Sequence, residues 1–306
     1  MAGKHNAKRG QFYDIWRAMM SNRVTVICLI IAFALINIAI FADVLFDYDN
    51  VVIKQDVINR LKSPSSEHWF GTDIVGRDYF SRVLYATRYS LLIGFCAAAG
   101  GAVCGIIIGS VSAYYGGKVD AIIQRILDVI ISIPQLLLII CVMAVMGGGA
   151  KNIIIAFIFT GTPAFSRTVR AAMMVAAQNE YVEAAKALGA RDLRIILTHL
   201  LPNSLGPTIV HGTMAIASCI LSTAGLGYLG MGVAAPTPEW GQMLSDAQQY
   251  MRAQPYLILF PGAFILITAM TFNLLGDGLR DAMDPRLRGF RKEKKNLFRR
   301  QSKNDR

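Results

Sequence analysis

Long apolar runs alternate with short charged ones along this chain, on a scale too coarse for strands. Windows free of Asp, Glu, Lys and Arg cover residues 24–42, 89–117, 129–150, 152–166, 195–238 and 253–276. A helix that crosses a hydrocarbon layer roughly 30 Å thick needs about 20 such residues. Most windows supply that length, and the fourth reaches it by extending into its flanks. The pattern predicts an all-α, polytopic membrane protein with six transmembrane helices, placed at 24–43, 89–115, 122–147, 151–170, 206–231 and 255–276. Any one stretch reads equally well as a buried helix of a large soluble protein, but six of them leave too little polar surface to clothe a soluble globule.

Composition agrees: 54% of the 306 residues are hydrophobic and 17% charged, with a mean hydropathy of +0.43. The net charge of +11 raises nucleic acid as a partner. The excess sits at juxtamembrane ends, however, where anionic lipid accounts for it more simply, and no nucleic-acid partner is expected. Lys4, Lys8, Arg9, Arg17 and Arg23 precede the first span, and Arg291, Lys292, Lys294, Lys295, Arg299 and Arg300 follow the last. By the positive-inside rule both termini are cytoplasmic, and so is the island holding Arg167, Arg170, Lys186, Arg191 and Arg194. The chain then divides into a leader (1–23), a six-span domain (24–276) and a basic tail (277–306), with an external excursion at 44–88 and an inner loop at 177–203. The first apolar run follows a basic leader, as in a signal peptide, but no small-residue cleavage site ends it, so it reads as a retained helix. Cys28, Cys96, Cys104, Cys141 and Cys219 fall inside spans and read as small hydrophobes rather than a disulfide or metal set.

Several spans carry interruptions. Ser132-Ile133-Pro134-Gln135 predicts a kink, since proline removes a helical hydrogen bond, and it sets the Gln135 amide at membrane depth. Gly161-Thr162-Pro163 predicts a second break. Pro134, Gln135 and Pro163 are candidates for lining a pathway, with simple helix packing as the alternative. Gly94, Gly100, Gly101, Gly105 and Gly109 favour close helix approach. Residues 43–75 predict turns and short extended pieces, after which 79–88 reads as a helix joining span two.

The central island is the main candidate for function. Residues 177–188 are good helix formers with Glu180 and Glu183 early, Gly189 permits a C-cap or sharp turn, and a second helix starts near Arg191. Leu193, Ile196, Leu197 and Leu200 form the apolar face of this second helix, and Leu201-Pro202-Asn203 is expected to stop it. An ordinary loop tucked under the bundle explains the second helix well. The first, with Ala184, Ala185 and Ala187 forming a smooth surface beside two carboxylates, suits a partner's cleft better.

Here the chain resembles a known family. Glu183-Ala184-Ala185, Gly189 and Leu201-Pro202-Asn203 are similar to the cytoplasmic signature of permease subunits of bacterial ABC importers. Phe70-Gly71-Thr72-Asp73-Ile74-Val75-Gly76-Arg77-Asp78, Pro236-Thr237-Pro238-Glu239-Trp240-Gly241 and Phe272-Asn273-Leu274-Leu275-Gly276-Asp277-Gly278-Leu279-Arg280-Asp281, followed by Asp284-Pro285-Arg286, resemble the C-type permease of dipeptide and oligopeptide importers. Gly161-Thr162-Pro163-Ala164 departs from the Trp-Pro-Gly-Tyr-like run common in that family, and Trp69 stands where a smaller or aliphatic residue is common.

The resemblance implies a type I ABC importer permease fold in the bacterial cell membrane. It also implies a pore shared with a second homologous permease, two ATPase subunits inside, a substrate-binding protein outside, and peptide as cargo. Glu180, Glu183, Ala184, Ala185, Gly189 and Arg191 become candidates for contact with the ATPase. Asp277, Arg280, Asp281, Asp284 and Arg286 read either as an inner-surface brace or as an ordinary solvated ion-pair network. Gly71, Asp73, Gly76, Arg77 and Asp78 read as an external structural motif in which the glycines shape a turn and Arg77 pairs with a carboxylate.

No phosphate-cradling Gly-x-x-x-x-Gly-Lys-Ser/Thr loop occurs, so ATP and Mg are expected in partner chains, with no cofactor or metal in this one. The histidines His5, His68, His199 and His211 are scattered, and nothing predicts an enzyme. A permease for nickel or another small solute is the alternative. A secondary transporter, which would need ionisable residues at mid-membrane, and a membrane scaffold stand further off.

Overall fold

The computed structural model describes residues 13–284. Helices dominate: α1 (Arg23–Ile40), α2 (Tyr79–Tyr115), α3 (Gly117–Ile131), α4 (Gln135–Met146), α5 (Ala150–Ala177), α6 (Glu180–Ala187), α7 (Asp192–Ile195), α8 (Leu201–Tyr228), α9 (Trp240–Ala247) and α10 (Tyr256–Met283). No strand occurs among the described residues, where Thr72 and Asp78 form an isolated bridge.

Helix α2 is the spine. Asp78 starts it by accepting a hydrogen bond from the Ser81 amide at 2.9 Å, which satisfies one of the free donors of a first turn. It then runs 37 residues without a break, so the stretch at 79–88 and span two are one rod. Along its middle, glycines let α5 come close. A Cβ on Gly105 would stand 2.3 Å from the Phe165 Cβ, and one on Gly109 would stand 2.5 Å from the Ser166 carbonyl oxygen. Without a hydrophobic force between helices in lipid, such close approach is what associates them. Helix α8 packs across α2, α5 and α10, while α1 lies against α2 and α10.

Among the described residues, four helical stretches are long and apolar enough to cross a membrane: Arg23–Ile40, Tyr79–Tyr115, Asp192–Tyr228 and Tyr256–Met283. A fifth arises if α3 and α4, bent by 83° at Ser132-Ile133-Pro134, count as one broken span. Among the described residues the stretch predicted at 151–170 lies within α5, which is long enough but too diluted by Lys151, Arg167, Arg170 and hydroxyl residues to qualify on apolarity. Its charges pair with α3: Arg170 with Asp120, and the exposed Arg167 with Asp128, which clamps α3 against α5.

Two expected breaks do not form. Pro163 sits inside the continuous α5, buried against its neighbours. Packing against neighbouring helices accommodates the one missing hydrogen bond. Pro202 likewise fails to stop the second island helix. A π turn over Ile196–Leu200 precedes it, with the Leu201 amide donating to the Ile196 carbonyl. The wider turn changes the hydrogen-bond register just before the residue that cannot donate, so helix runs from Asp192 to Tyr228.

Replacing Gly105 with leucine is expected to wedge α2 from α5 and lower thermal stability by about 1–3 kcal/mol. Gly225→Ala, where an added Cβ meets nothing within 4 Å, should leave the melting temperature in detergent near that of the parent.

Candidate functional site

The island folds as a hairpin on the end of the α2/α5 pair. Glu180 and Glu183 lie in the first turn of α6, where the helix dipole favours negative charge. Gly189 ends the helix with φ +75°. Its amide donates to the Lys186 carbonyl at 2.9 Å, and the Ala190 amide donates to that of Ala185 at 3.1 Å. This is the Schellman arrangement, which needs a left-handed residue where glycine has no penalty. An added Cβ would meet nothing within 4 Å, so the requirement is conformational rather than steric.

Packing sets which face of the hairpin is presented. Val182, Ala185, Ile195, Ile196 and Leu200 are buried against Val169, Met173 and Ala176 of α5. Tyr114, near the end of α2, donates to the Asp192 carboxylate at 2.7 Å, and the Lys186 ammonium stands over its ring. Glu180, Glu183, Ala184, Ala187, Gly189 and Arg191 remain exposed. Ala185 departs from the smooth surface expected of it, because it faces the bundle. The second helix also presents a different face: Leu193 and Leu197 point outward, and Ile195 is buried instead. With Leu188, 88% exposed, they give the hairpin an apolar surface rimmed by charge.

At the opposite end of α2, the residues 71–78 form a buried knot. Asp73 accepts from the Val75 and Arg77 amides, both at 2.9 Å, and from Arg77 Nε at 2.5 Å. Arg82 Nε lies 3.4 Å from the same carboxylate, and its Nη1 donates to the Val52 carbonyl at 3.1 Å and the Pro236 carbonyl at 3.4 Å. Gly71 and Gly76 take positive φ. A Cβ on Gly76 would stand 1.7 Å from the Asp56 carbonyl oxygen. Next to this knot, Glu239 is buried and caps α9, accepting from the Gly241 and Gln242 amides at 2.9 and 3.0 Å. Burial pushes its carboxyl above the ordinary carboxylate value, and the two amides and Ser90 offset this only in part.

The pathway candidates separate. Gln135 lines a cavity of about 320 Å³, Pro134 is exposed at the α3–α4 bend, and Pro163 is buried in packing. Asp277, Arg280 and Asp281 are exposed and form no ion pair with one another, Arg280 and Asp284 line a second cavity, and Arg286 lies outside the described residues. Sequence reasoning passed over His211 and Met214, which line both cavities. Asn203, His211 and Ser218, seven or eight positions apart and so on one helical face, were the available signal.

The chain is a helical bundle with an exposed hairpin at one end. Its fold is shared with the MetNI methionine ABC transporter in inward-facing conformations: two crystal forms match with TM-score 0.55 at 19% identity, covering 66% and 67% of this chain and 97% and 98% of those. Residues 101–289 match the model of the binding-protein-dependent transport system inner membrane component, and the chain belongs to that family. Residues 10–64 match the N-terminal TM domain of oligopeptide transport permease C. Among curated relatives, the dipeptide transport system permease protein DppC of Alkalihalophilus pseudofirmus is 42% identical over 90% of each chain. The glutathione transport system permease protein GsiD of Pectobacterium atrosepticum is 41% identical, covering 92% of this chain and 93% of the relative.

Asp73→Ala would leave two buried guanidinium groups without their carboxylate and is expected to cost about 3–5 kcal/mol, read as a fall in melting temperature. Glu239 has the opposite bearing. Its raised folded value means the stability it contributes is full below the ordinary carboxylate range and is lost as pH rises through that value. Melting temperature should therefore fall with pH across this window in the parent chain, and the fall should flatten in Glu239→Gln.

Proposed function

We propose that this chain is the transmembrane permease subunit of an ATP-driven importer that carries di- and oligopeptides into a bacterial cell. Relatives whose names specify dipeptide and glutathione, itself a tripeptide, support the cargo class. The distribution of Lys and Arg supports an orientation with both termini and the hairpin in the cytoplasm. In this reading the six-span domain covers 24–276, with 44–88 outside, the hairpin at 177–203 inside and a basic tail from 277. The pore is completed by a second, homologous permease in the same bilayer. Two ATPase subunits bind ATP and Mg, since this chain has no phosphate-binding loop, and an external binding protein delivers the peptide.

One observation carries the coupling role: the hairpin is stiffened by the Gly189 cap, anchored on α2 and α5, and exposes Leu188, Leu193 and Leu197 beside Glu180, Glu183 and Arg191. A rigid lever with an apolar tip transmits displacement to the bundle, which a flexible loop does not. Glu183, Ala184 and Gly189 make the contact, with Glu180 and Arg191 at its rim, while Ala185 supports it from behind. Asp277, Arg280, Asp281 and Asp284 line the same inner surface, and Gly71, Asp73, Gly76, Arg77 and Asp78 hold the outer end.

The test reconstitutes the chain with its partner permease and ATPases, and adds binding proteins loaded with dipeptide or with nickel. Stimulation of ATP hydrolysis and uptake by the peptide-loaded protein is expected, and stimulation by nickel alone would replace the cargo assignment. Gly189→Val places a β-branched residue at φ +75°, a local penalty of roughly 1–2 kcal/mol. The variant should insert like the parent while stimulated hydrolysis and uptake fall several-fold, and unchanged coupling would sink the assignment.

A further inference from the structure

Two cavities adjoin along one face of α8. The first, of about 320 Å³, is lined by Gln135, Thr160, Ser218 and Cys219 among apolar side chains. The second, of about 630 Å³, runs past Asn203 and Pro207 to Arg280 and Asp284. His211 and Met214 line both, so the junction lies at those two residues. Asn203, Pro207, His211, Met214 and Ser218 recur at three- and four-residue intervals and share one face of the helix. Polar side chains at membrane depth are costly unless they face the bundle interior or a water-filled space. The first cavity's size falls within the roughly 300–1,000 Å³ of ordinary small-ligand sites.

Its chemistry is specific in what it omits. No Asp, Glu, Lys or Arg lines the first cavity; its polar groups are an amide, hydroxyls, a thiol and an imidazole. Such groups exchange hydrogen bonds with amides and impose no net charge. His211 stands edge-on to the Phe165 ring with centroids 4.5 Å apart, and no described residue hydrogen-bonds its ring nitrogens. The imidazole is held by packing, and its hydrogen-bonding capacity is left for whatever enters the cavities.

Building on the import reading above, we infer that these cavities form this subunit's part of the peptide passage, with His211 at their junction as a specificity-determining residue that hydrogen-bonds main-chain amides of the cargo. The Arg280 end receives the peptide after it passes the junction.

The five cysteines are all free, and Ser218, exposed on the first cavity, offers the place for a thiol probe. In the complete transporter in vesicles, with the five native cysteines changed to alanine and Ser218→Cys introduced, a membrane-impermeant sulfonated maleimide should label position 218. Dipeptide-loaded binding protein with ATP should slow that labelling severalfold. His211→Ala should change the ratio of kcat/KM for a dipeptide over a tripeptide by about fivefold or more, and His211→Gln should restore much of it. A Ser218→Cys thiol that stays unlabelled in resting and ATP-driven states, while uptake is normal, would mean that the second permease fills the space, and it would overturn the passage. An unchanged ratio in His211→Ala would overturn the role of the imidazole. Labelling is read without cargo, so a transporter that imports no peptide strikes the import reading and leaves the labelling result to decide the passage.

Discussion

The approach of α5 onto the glycines of α2 is the contact on which the rest depends. A bilayer offers helices no hydrophobic reward for meeting, so association rests on how closely backbones can come. Gly105 and Gly109 remove the side chains that would hold Phe165 and Ser166 away. Once α5 is fixed there, its far end supplies Val169, Met173 and Ala176 as the seat of the hairpin. The same helix meets α3 through Arg167 and Arg170, which positions the bend that places Gln135 against the first cavity.

Because α2 is one unbroken rod, both ends of the molecule are mechanically joined. Arg82 near its start ties the segments around Val52 and Pro236 together, and Tyr114 near its finish holds Asp192 of the hairpin. Trp240 adds a further tie by donating its indole N–H to the Val83 carbonyl at 3.0 Å. A load on the segments around Val52 and Pro236 and a load on the hairpin therefore act on the same helix. That is the arrangement an importer requires if events on one side of the membrane are to be felt on the other.

Much of this was legible in the amino-acid order. Apolar windows located α1, α2, α8 and α10, and Gly189 marked a helix end because only one residue type fits that backbone without strain. What stayed hidden was tertiary. Pro163 and Pro202 read as breaks because local rules price the missing hydrogen bond, whereas packing and a π turn absorb it. Ala185 cannot be told from Ala184 by type, and only the docking of α6 against α5 turns one inward. Nor does the order of residues separate an amphipathic segment lying along a bundle from one crossing the membrane, so the α3–α4 pair and α5 left the span count open. His211 passed as one of several scattered histidines, since its significance lies in cavities that exist only when α4, α5, α8 and α10 are assembled.

The π turn at Ile196–Leu200 has a further meaning. An α-helix advances about 100° per residue, so one additional residue in a turn rotates everything before it relative to everything after. The side of the second island helix that faces outward is thus set by main-chain register together with the packing of its buried side chains. Ile195 lies inward and Leu193 outward because of that phase. The chain keeps an intact helix in α8 and still sets the hairpin at its own angle, as a coupling with a built-in angular offset lets two shafts meet out of line.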